Sequence, residues 1–294
     1  MLSNLQLARN MYKSVMPSLP QAWQSWITEN LARGCAPAEM AQVMVRDGKF
    51  EATLARAAIE EARRTGFPNL APAPAPQPLP EIDTSANILR VPDRDVEILF
   101  SMRAPRIVLL GSLLSDEECN ALIDYGQSRL ERSPVVSDTD GKTQVHAHRT
   151  SRGAMLQRGE TELVRRIEAR LAAVTRWPVE NGEGLQMLQY EKGNEYRPHY
   201  DWFDAALPGP RKHLERGGQR VGTIVMYLSD VEAGGGTSFP NIGVTVQPKK
   251  GSAVFFANTD AYRVPDQQTL HAGEPVEKGV KYIATKWLRE RAYV

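Results

Sequence analysis

The sequence predicts an α+β protein: a double-stranded β-helix, or jelly roll, supported by helices on one side and preceded by a small α-helical module. Three observations lead to this fold. Short β-type runs separated by Gly, Pro, Asp and Asn succeed one another from Leu185 onward, as in sandwiches and barrels. Two amphipathic helical patterns come before these runs. A stretch rich in alanine and proline then sets this region apart from three helical segments near the start.

The first 68 residues contain the helical segments. The stretches QAWQSWITENLARG, PAEMAQVMVRDG and ATLARAAIEEARRTG each end in glycine, which commonly follows the last residue of a helix. Pro37 opens the second stretch, at a position where a helix does not need the backbone N–H. Residues 1–68 are therefore predicted to form a helical module, whose role the sequence leaves open.

An Ala/Pro-rich linker is predicted at residues 69–83. It begins NLAPAPAPQPLP, and alternating proline favours extended polyproline II conformation over a helix or a packed strand. We expect this linker to separate the helical module from a larger domain at residues 84–294.

The larger domain begins with elements that would support a sheet. The run IVLLGSLLS predicts a strand, and Ser115 with Glu118 three residues later predicts a capping box that opens a helix through Leu130. A second amphipathic helix is predicted at residues 162–174. The runs that follow predict the strands of the jelly roll: LQMLQY, VGTIVMYLS, VTVQP, SAVFFAN and KYIATKWL.

The composition excludes several classes of protein. In 294 residues, 36 basic and 35 acidic side chains give a net charge of +1, so no overall field favours nucleic acid or anionic lipid. Cys35 and Cys119 are too far apart in the sequence to suggest a disulfide scaffold or a cysteine-ligated zinc site. No run approaches the roughly 20 apolar residues of a membrane span. We expect a cytoplasmic protein with no nucleic-acid or membrane partner.

Three residues form a candidate metal site. His199 lies in YRPHYD with Asp201 two residues on, and on a strand such residues point to the same face. His271, in TLHAG, is the natural third ligand, because two histidines and one carboxylate form a facial triad with open positions on iron(II). Those positions suit a cosubstrate and dioxygen. His213, in RKHLERGG, is interpreted as a residue of a solvated loop.

A lysine near the third ligand indicates an anionic cosubstrate. In HAGEPVEKGVKYIATKW, Lys281, Ile283, Thr285 and Trp287 share one face of a predicted strand. An ammonium group is strongly disfavoured in an apolar barrel unless a counter-charge reaches it. A dicarboxylate bound to iron at one end would bring that counter-charge at the other.

Three segments resemble the catalytic domain of prolyl 4-hydroxylases: LQYEKGNEYRPHYDWF, RVGTIVMYLSDVEAGGGTSFPNIGVTVQPKKGSAVFFAN and LHAGEPVEKGVKYIATKWLRE. The resemblance runs over about residues 106–289. It implies iron held by His199, Asp201 and His271, and Lys281 bound to the distal carboxylate of 2-oxoglutarate. It also implies a cosubstrate pocket lined or hydrogen-bonded by Tyr190, Thr223, Tyr227 and Thr285, with Trp287 as an aromatic wall.

The same resemblance implies the reaction. An iron(II)- and 2-oxoglutarate-dependent dioxygenase would use O2, with ascorbate as reductant, to hydroxylate a prolyl residue in a peptide or protein and release succinate and CO2. Asp201 favours hydroxylation, because a halogenating relative has a small residue there. Two alternatives stay open: the same chemistry on a free amino acid or other small molecule, and an inactive jelly-roll binding protein.

Two loops and two arginines are predicted to lie near the substrate. Loops at residues 133–145 and 202–218 contain glycine and charge and would close on a peptide. Arg149 and Arg152, in HRTSRGAML, match a family segment near the substrate groove. The nearby HxH pair, His146 and His148, is interpreted as part of a mobile loop and not as a second metal centre. Residues 1–68 show no helical repeat of the kind that binds collagen, and the sequence does not indicate an oligomeric state.

Overall fold

The structure, a computed structural model, describes residues 19–65, 76–132, 134–136, 143–145 and 150–294, with the backbone alone at 134–136 and 143–145. The chain divides into two compact units, one before Pro76 and one from Pro76 to Val294. Within the described ranges, no helix is both long enough and apolar enough to cross a bilayer.

The N-terminal unit is built from three helices, as the sequence predicts. They are α1 (Gln21–Ala32), α2 (Pro37–Arg46) and α3 (Ala52–Thr65). Their apolar faces meet in a separate core around Ile27, Met44 and Ile59, each at most 1% exposed. Pro37 occupies the start of α2, where the helix has no use for its missing N–H.

The second unit contains three further helices and seventeen strands among its described residues. The helices are α4 (Asp116–Gln127), α5 (Glu162–Thr175) and α6 (Pro208–Glu215). The strands are β1 (Ile88–Val91), β2 (Arg94–Met102), β3 (Ile107–Gly111), β4 (Glu131–Arg132), β5 (Pro134–Val136), β6 (Thr143–Val145), β7 (Arg152–Leu156), β8 (Gly182–Tyr190), β9 (Tyr196–His199), β10 (Arg220–Tyr227), β11 (Ala233–Gly234), β12 (Thr237–Phe239), β13 (Val244–Val246), β14 (Ala253–Ala257), β15 (His271–Gly273), β16 (Val276–Lys278) and β17 (Lys281–Arg289).

Two antiparallel sheets form the jelly roll. The larger has nine strands in the order β1-β2-β3-β14-β10-β17-β8-β7-β4, and the smaller has the order β13-β12-β15-β9. Non-consecutive strands lie side by side in both sheets, so residues distant in sequence meet at one end of the roll. The predicted fold class is confirmed.

The larger sheet is covered on both faces. On β10, Ile224 and Met226 belong to the core that also contains side chains of α4 and α5. The alternate residues Val225 and Tyr227 belong to a second core that includes Phe239 of the smaller sheet. Burial on both faces explains why β10 reads as a continuous apolar run and not as an alternating one. The predicted capping box of Ser115 and Glu118 opens α4, which ends at Gln127, three residues before the predicted end.

The predicted linker at residues 69–83 extends too far toward the domain. From Pro76 the chain belongs to the second unit, and Ile82 is 1% exposed in its core. Gln77 N donates to Ala261 O at 2.7 Å, and Arg263 Nη2 donates to Pro78 O at 3.0 Å. An extended segment has no hydrogen bonds of its own, so its backbone groups are free to bond a folded neighbour. The remaining part, 69–75, lies outside the described residues.

Two predicted loops contain regular structure. The segment 202–218 includes α6, a two-turn helix that ends before the paired glycines Gly217 and Gly218, both with positive φ. The segment 133–145 includes the two strands of a short hairpin, β5 and β6, with residues 133 and 137–142 outside the described part.

Candidate active site

The three predicted metal ligands converge at the open end of the smaller sheet. His199 ends β9 and lies directly opposite His271, which begins β15. His199 Nε2 is 3.8 Å from Asp201 Oδ1, and His271 Nε2 is 3.6 Å from Asp201 Oδ2. One ligand atom from each residue lies within 4.8 Å of the other two. Three ligand atoms grouped on one side are the donor set of a facial triad, so the site fits iron(II).

The backbone orients both histidines for metal binding. His199 Nδ1 lies 2.8 Å from Arg197 O, and His271 Nδ1 lies 3.0 Å from Thr269 O. A carbonyl oxygen can only accept, so each Nδ1 carries the proton and donates it. Each Nε2 is thereby left without a proton and can coordinate a metal.

Asp201 reaches the site in a way that strand alternation did not predict. β9 ends at His199, and Asp201 lies in the bend that follows. Its Oδ2 accepts a hydrogen bond from Thr223 Oγ1 at 2.8 Å, and Thr223 Oγ1 accepts one from Asn258 Nδ2 at 3.0 Å. Burial opposes the charge of Asp201, but the neighbouring histidines, Arg220 and Thr223 outweigh it and lower the pKa to about 2. The carboxylate is therefore ready for a cation.

Thr223 thus has a different contact from the one the resemblance implied. It is fully buried, and it binds Asp201 instead of lining the cavity. Tyr227 does not line the cavity either. Its hydroxyl donates to Thr237 Oγ1 at 2.8 Å, and it is Thr237 that lines the cavity. Sequence reasoning missed Thr237, because it meets Tyr227 only where the smaller sheet packs against the larger one.

Lys281 begins β17 and is buried, with 1% exposure. Its Nζ lies 5.4 Å from the ring centre of Tyr190 and 6.0 Å from that of Tyr227. In the part of the chain that the structure describes, no carboxylate is within 4 Å of this ammonium group. Burial lowers the pKa of Lys281 to about 8, and Glu274 offsets only part of that effect. A buried cation without an anion is what the predicted dicarboxylate would complete.

One face of β17 lines the cavity. Lys281, Ile283, Thr285 and Trp287 all border it, as the period-two alternation predicts, and so does Tyr190 from β8. The cavity has a volume of about 800 Å³ and includes the three metal ligands in its wall. It is therefore large enough for a cosubstrate together with part of a second molecule.

Other predicted site residues lie elsewhere. Arg152 is exposed on β7, donates from Nη2 to Leu130 O at 2.8 Å, and does not line the cavity. Arg149, with His146 and His148, is outside the described residues. His213 is not in a solvated loop: it lies on α6, lines the cavity, and stacks on Phe203 with ring centres 5.1 Å apart.

Three charged residues that contact one another in the cavity wall were missed from the sequence. Glu183 on β8, Arg220 on β10 and Arg289 on β17 meet there. Arg289 could have been found, because it continues the alternation of Lys281 and Trp287 along β17. Glu183 and Arg220 gave no such signal, since their meeting depends on the order of strands in the larger sheet.

A facial triad, a buried lysine and a cavity that joins them define an iron(II)- and 2-oxoglutarate-dependent oxygenase site. The family model described as the 2OG-Fe(II) oxygenase superfamily matches residues 185–289. Probable prolyl 4-hydroxylase 6 of Arabidopsis thaliana is 40% identical over 208 residues, or 64% of this chain and 70% of the relative. The chain belongs to the prolyl 4-hydroxylase family and is a 2-oxoglutarate-dependent dioxygenase.

Two further matches are similar in extent. Prolyl 4-hydroxylase 5 of Arabidopsis thaliana is 41% identical over 202 residues, covering 62% of this chain and 68% of that protein. The crystal structure of a viral collagen prolyl hydroxylase from Paramecium Bursaria Chlorella virus-1, in complex with 2OG, is 30% identical with a TM-score of 0.49. That match covers 62% of this chain and 95% of the viral one.

Proposed function

We propose that this protein hydroxylates prolyl residues in a peptide or protein, using iron(II), 2-oxoglutarate and O2 and releasing succinate and CO2. The convergence of His199, Asp201 and His271 in one cavity with buried Lys281, which has no carboxylate within 4 Å among the described residues, is the observation that supports the chemistry most directly. The relatives named prolyl 4-hydroxylases support prolyl substrates. An inactive binding scaffold is disfavoured, because the residues needed for the chemistry all lie around one cavity.

When bound, iron(II) and 2-oxoglutarate supply the oxidising chemistry: O2 oxidises and decarboxylates the 2-oxo acid, and one oxygen atom enters a C–H bond of the substrate. The residues of the chain bind and orient these groups. The triad would hold the metal through one ligand atom from each of its three residues. Thr223 fixes the second oxygen of Asp201, which keeps that carboxylate in one orientation.

Lys281 and its surroundings would orient the cosubstrate. The ammonium group would bind the distal carboxylate, since that pairing removes the cost of an uncompensated buried charge. Tyr190 and Thr237 border the cavity nearby, and the apolar wall, including Ile283, keeps water away. A dry site of this kind strengthens each charge interaction inside it.

The groove for an extended peptide would lie at the cavity mouth. Exposed Met155 and the tilted pair Tyr200 and Trp202, with ring centres 4.7 Å apart, line the cavity and offer apolar surface. Proline lacks an N–H and holds a fixed φ, so a proline-containing segment binds such a surface with little loss of conformational freedom.

Two remaining expectations belong to the same proposal. Ascorbate would act as the reductant that keeps iron in the ferrous state. The protein would act in the cytoplasm, in keeping with two cysteines that are far apart in sequence and both unpaired.

The test uses the full-length protein with ferrous iron, 2-oxoglutarate, ascorbate and proline-containing peptides. We expect succinate to form faster with peptide and mass spectrometry to find an added oxygen on proline. Asp201→Ala should abolish both signals, whereas Asp230→Ala, a matched change at a half-exposed carboxylate paired with Lys249, should leave them unchanged. Oxygen found only on a free amino acid or another small molecule would replace peptide hydroxylation with small-molecule hydroxylation.

A further inference from the structure

The end of the cavity away from Lys281 carries two arginines for one carboxylate. Arg220 Nε is 2.6 Å from Glu183 Oε1, and Arg289 Nε is 2.9 Å from the same oxygen. Lys281 and Arg289 begin and end β17 on one face, eight residues apart, which corresponds to about 26 Å along an extended strand. The two arginines are therefore well separated from the lysine.

Glu183 is hydrogen-bonded to Arg220. Two bonds join them, from Nε at 2.6 Å and from Nη2 at 3.0 Å, which is the bidentate geometry that favours a carboxylate and a guanidinium group. Burial opposes the charge of Arg220, but Glu183 more than offsets it and raises the pKa. For Arg289 burial prevails and the pKa is lowered, so its charge is less well compensated.

Two buried N–H groups at this end lack a hydrogen-bond acceptor among the described residues. Arg289 Nη1 donates to Gly218 O, but its Nε lies 2.9 Å from Glu183 Oε1 without the geometry of a hydrogen bond, and the indole Nε1 of Trp287 has no partner. Arg289 is 2% exposed and Trp287 is 8% exposed, and both line the cavity. A buried donor without an acceptor is unfavourable, so such groups in a cavity wall indicate a ligand with acceptor atoms.

The guanidinium groups are held in place by aromatic rings. Arg220 lies over Trp287 at 3.8 Å and over Phe203 at 4.8 Å. Arg289 lies 5.1 Å from the ring centre of Phe203 and 5.0 Å from that of Tyr293. This alternating stack fixes the positions of the donors before any ligand arrives, which reduces the entropy lost on binding.

We propose that Arg289, together with the indole N–H of Trp287, forms a subsite that binds a carboxylate of the substrate at the end of the cavity opposite Lys281. The inference rests on the proposed peptide substrate and names one feature of it. The carboxylate belongs to an acidic side chain near the target proline or to the terminus of a peptide. A planar carboxylate matches the fork of a guanidinium group, which a neutral amide matches less well.

The first experiment compares glutamate with glutamine. Peptides with a single proline in an otherwise neutral sequence carry one Glu or one Gln at each flanking position in turn, and a second set ends in a free carboxylate or an amide. We expect one register, or the free terminus, to lower KM by about 10-fold relative to its neutral partner, as for one charge-assisted hydrogen bond. No preference in any register or at the terminus would overturn the subsite.

Variants then test whether Arg289 and Trp287 cause the preference for peptides that carry a carboxylate. Arg289→Gln should bring the ratio of the charged to the neutral peptide close to one, and Glu183 would keep its bidentate partner Arg220. Should this variant fail to fold, Trp287→Phe keeps an aromatic ring for Arg220 to stack on but removes the indole N–H, and it should reduce the ratio by about threefold. Arg291→Gln, an exposed arginine two residues further on, should keep the wild-type ratio. Persistence of the full preference in Arg289→Gln or in Trp287→Phe would refute the assignment.

Binding measured by fluorescence anisotropy separates this inference from the proposed function. Tighter binding of the charged peptides with no oxygen added to proline would refute prolyl hydroxylation and support the subsite. Hydroxylation of proline at equal rates in charged and neutral peptides, with equal binding, would support the function and refute the subsite.

Discussion

Lys281→Met is expected to change cosubstrate binding and stability in opposite directions. Deleting one partner of a buried charge pair typically costs about 3–5 kcal/mol, so the apparent Michaelis constant for 2-oxoglutarate should rise by roughly 100-fold or more. The constant for a peptide substrate should change much less, because the lysine lies at the cosubstrate end of the cavity.

Without cosubstrate, the same replacement should stabilise the protein. Burial lowers the pKa of Lys281 from 10.5 to about 8, and at 1.36 kcal/mol per pKa unit this corresponds to a penalty of about 3 kcal/mol. Below pH 8 both the folded and the unfolded chain hold the proton, so the penalty is fully present. It disappears as the pH rises from 8 towards 10.5. Methionine, which has similar length and no charge, avoids it.

The assay pairs thermal unfolding of the cosubstrate-free protein at pH 7 with succinate formation against 2-oxoglutarate concentration. Lys286→Met is the matched control, because Lys286 is buried on the opposite face of β17 and its Nζ lies 2.5 Å from Glu168 Oε1. Removing it leaves Glu168 unpaired and should destabilise by about 3–5 kcal/mol with little effect on the cosubstrate constant. Loss of stability in Lys281→Met comparable to that in Lys286→Met would refute the reasoning.

Three further predictions follow from the same structure. Binding of 2-oxoglutarate should weaken as the pH rises through about 8, where Lys281 loses its proton, and Lys281→Arg should remove this dependence in a profile of kcat/KM. Thr223→Val should weaken iron(II) binding by about 10–100-fold in a fluorescence titration, since Asp201 loses its hydrogen bond, whereas exposed Thr245→Val should not. Ile82→Ala should cost about 2–5 kcal/mol in chemical denaturation, and a chain beginning at residue 84 should be less stable than one beginning at Pro76; equal stabilities would place the boundary at 84.

Local pattern was enough for the metal site and much of the fold. The three helices of the N-terminal unit, the capping box of α4 and the strands of the jelly roll follow from periodicity and turn residues. His199, Asp201 and His271 could be selected because few residue types bind iron. Lys281 could be selected because a lysine alternating with apolar residues on a strand is a charge that needs a partner. These are properties of short segments, which a sequence displays directly.

Pairing between distant segments decided the rest. Strand alternation predicted a shared face for His199 and Asp201, but Asp201 lies beyond the strand and is oriented by Thr223 of β10. Thr237 enters the site only because β12 lies beside β15, and Glu183 meets Arg220 only because β8 and β10 both flank β17. Such contacts depend on strand order, which no local pattern encodes.

The sequence by itself indicated the chemistry: the residue types and spacings of the triad and Lys281 indicate iron(II) and a dicarboxylate, and the resemblance to prolyl 4-hydroxylases implies that the dicarboxylate is 2-oxoglutarate. Only the tertiary structure decided which groups surround that chemistry. It moved the segment from Pro76 onward out of the predicted linker and into the second unit, and it brought Glu183 and Arg220 beside Arg289 at the far end of the cavity. The physical reason is that burial and hydrogen-bond satisfaction are set by the neighbours a residue acquires on folding, and those neighbours come from distant parts of the chain.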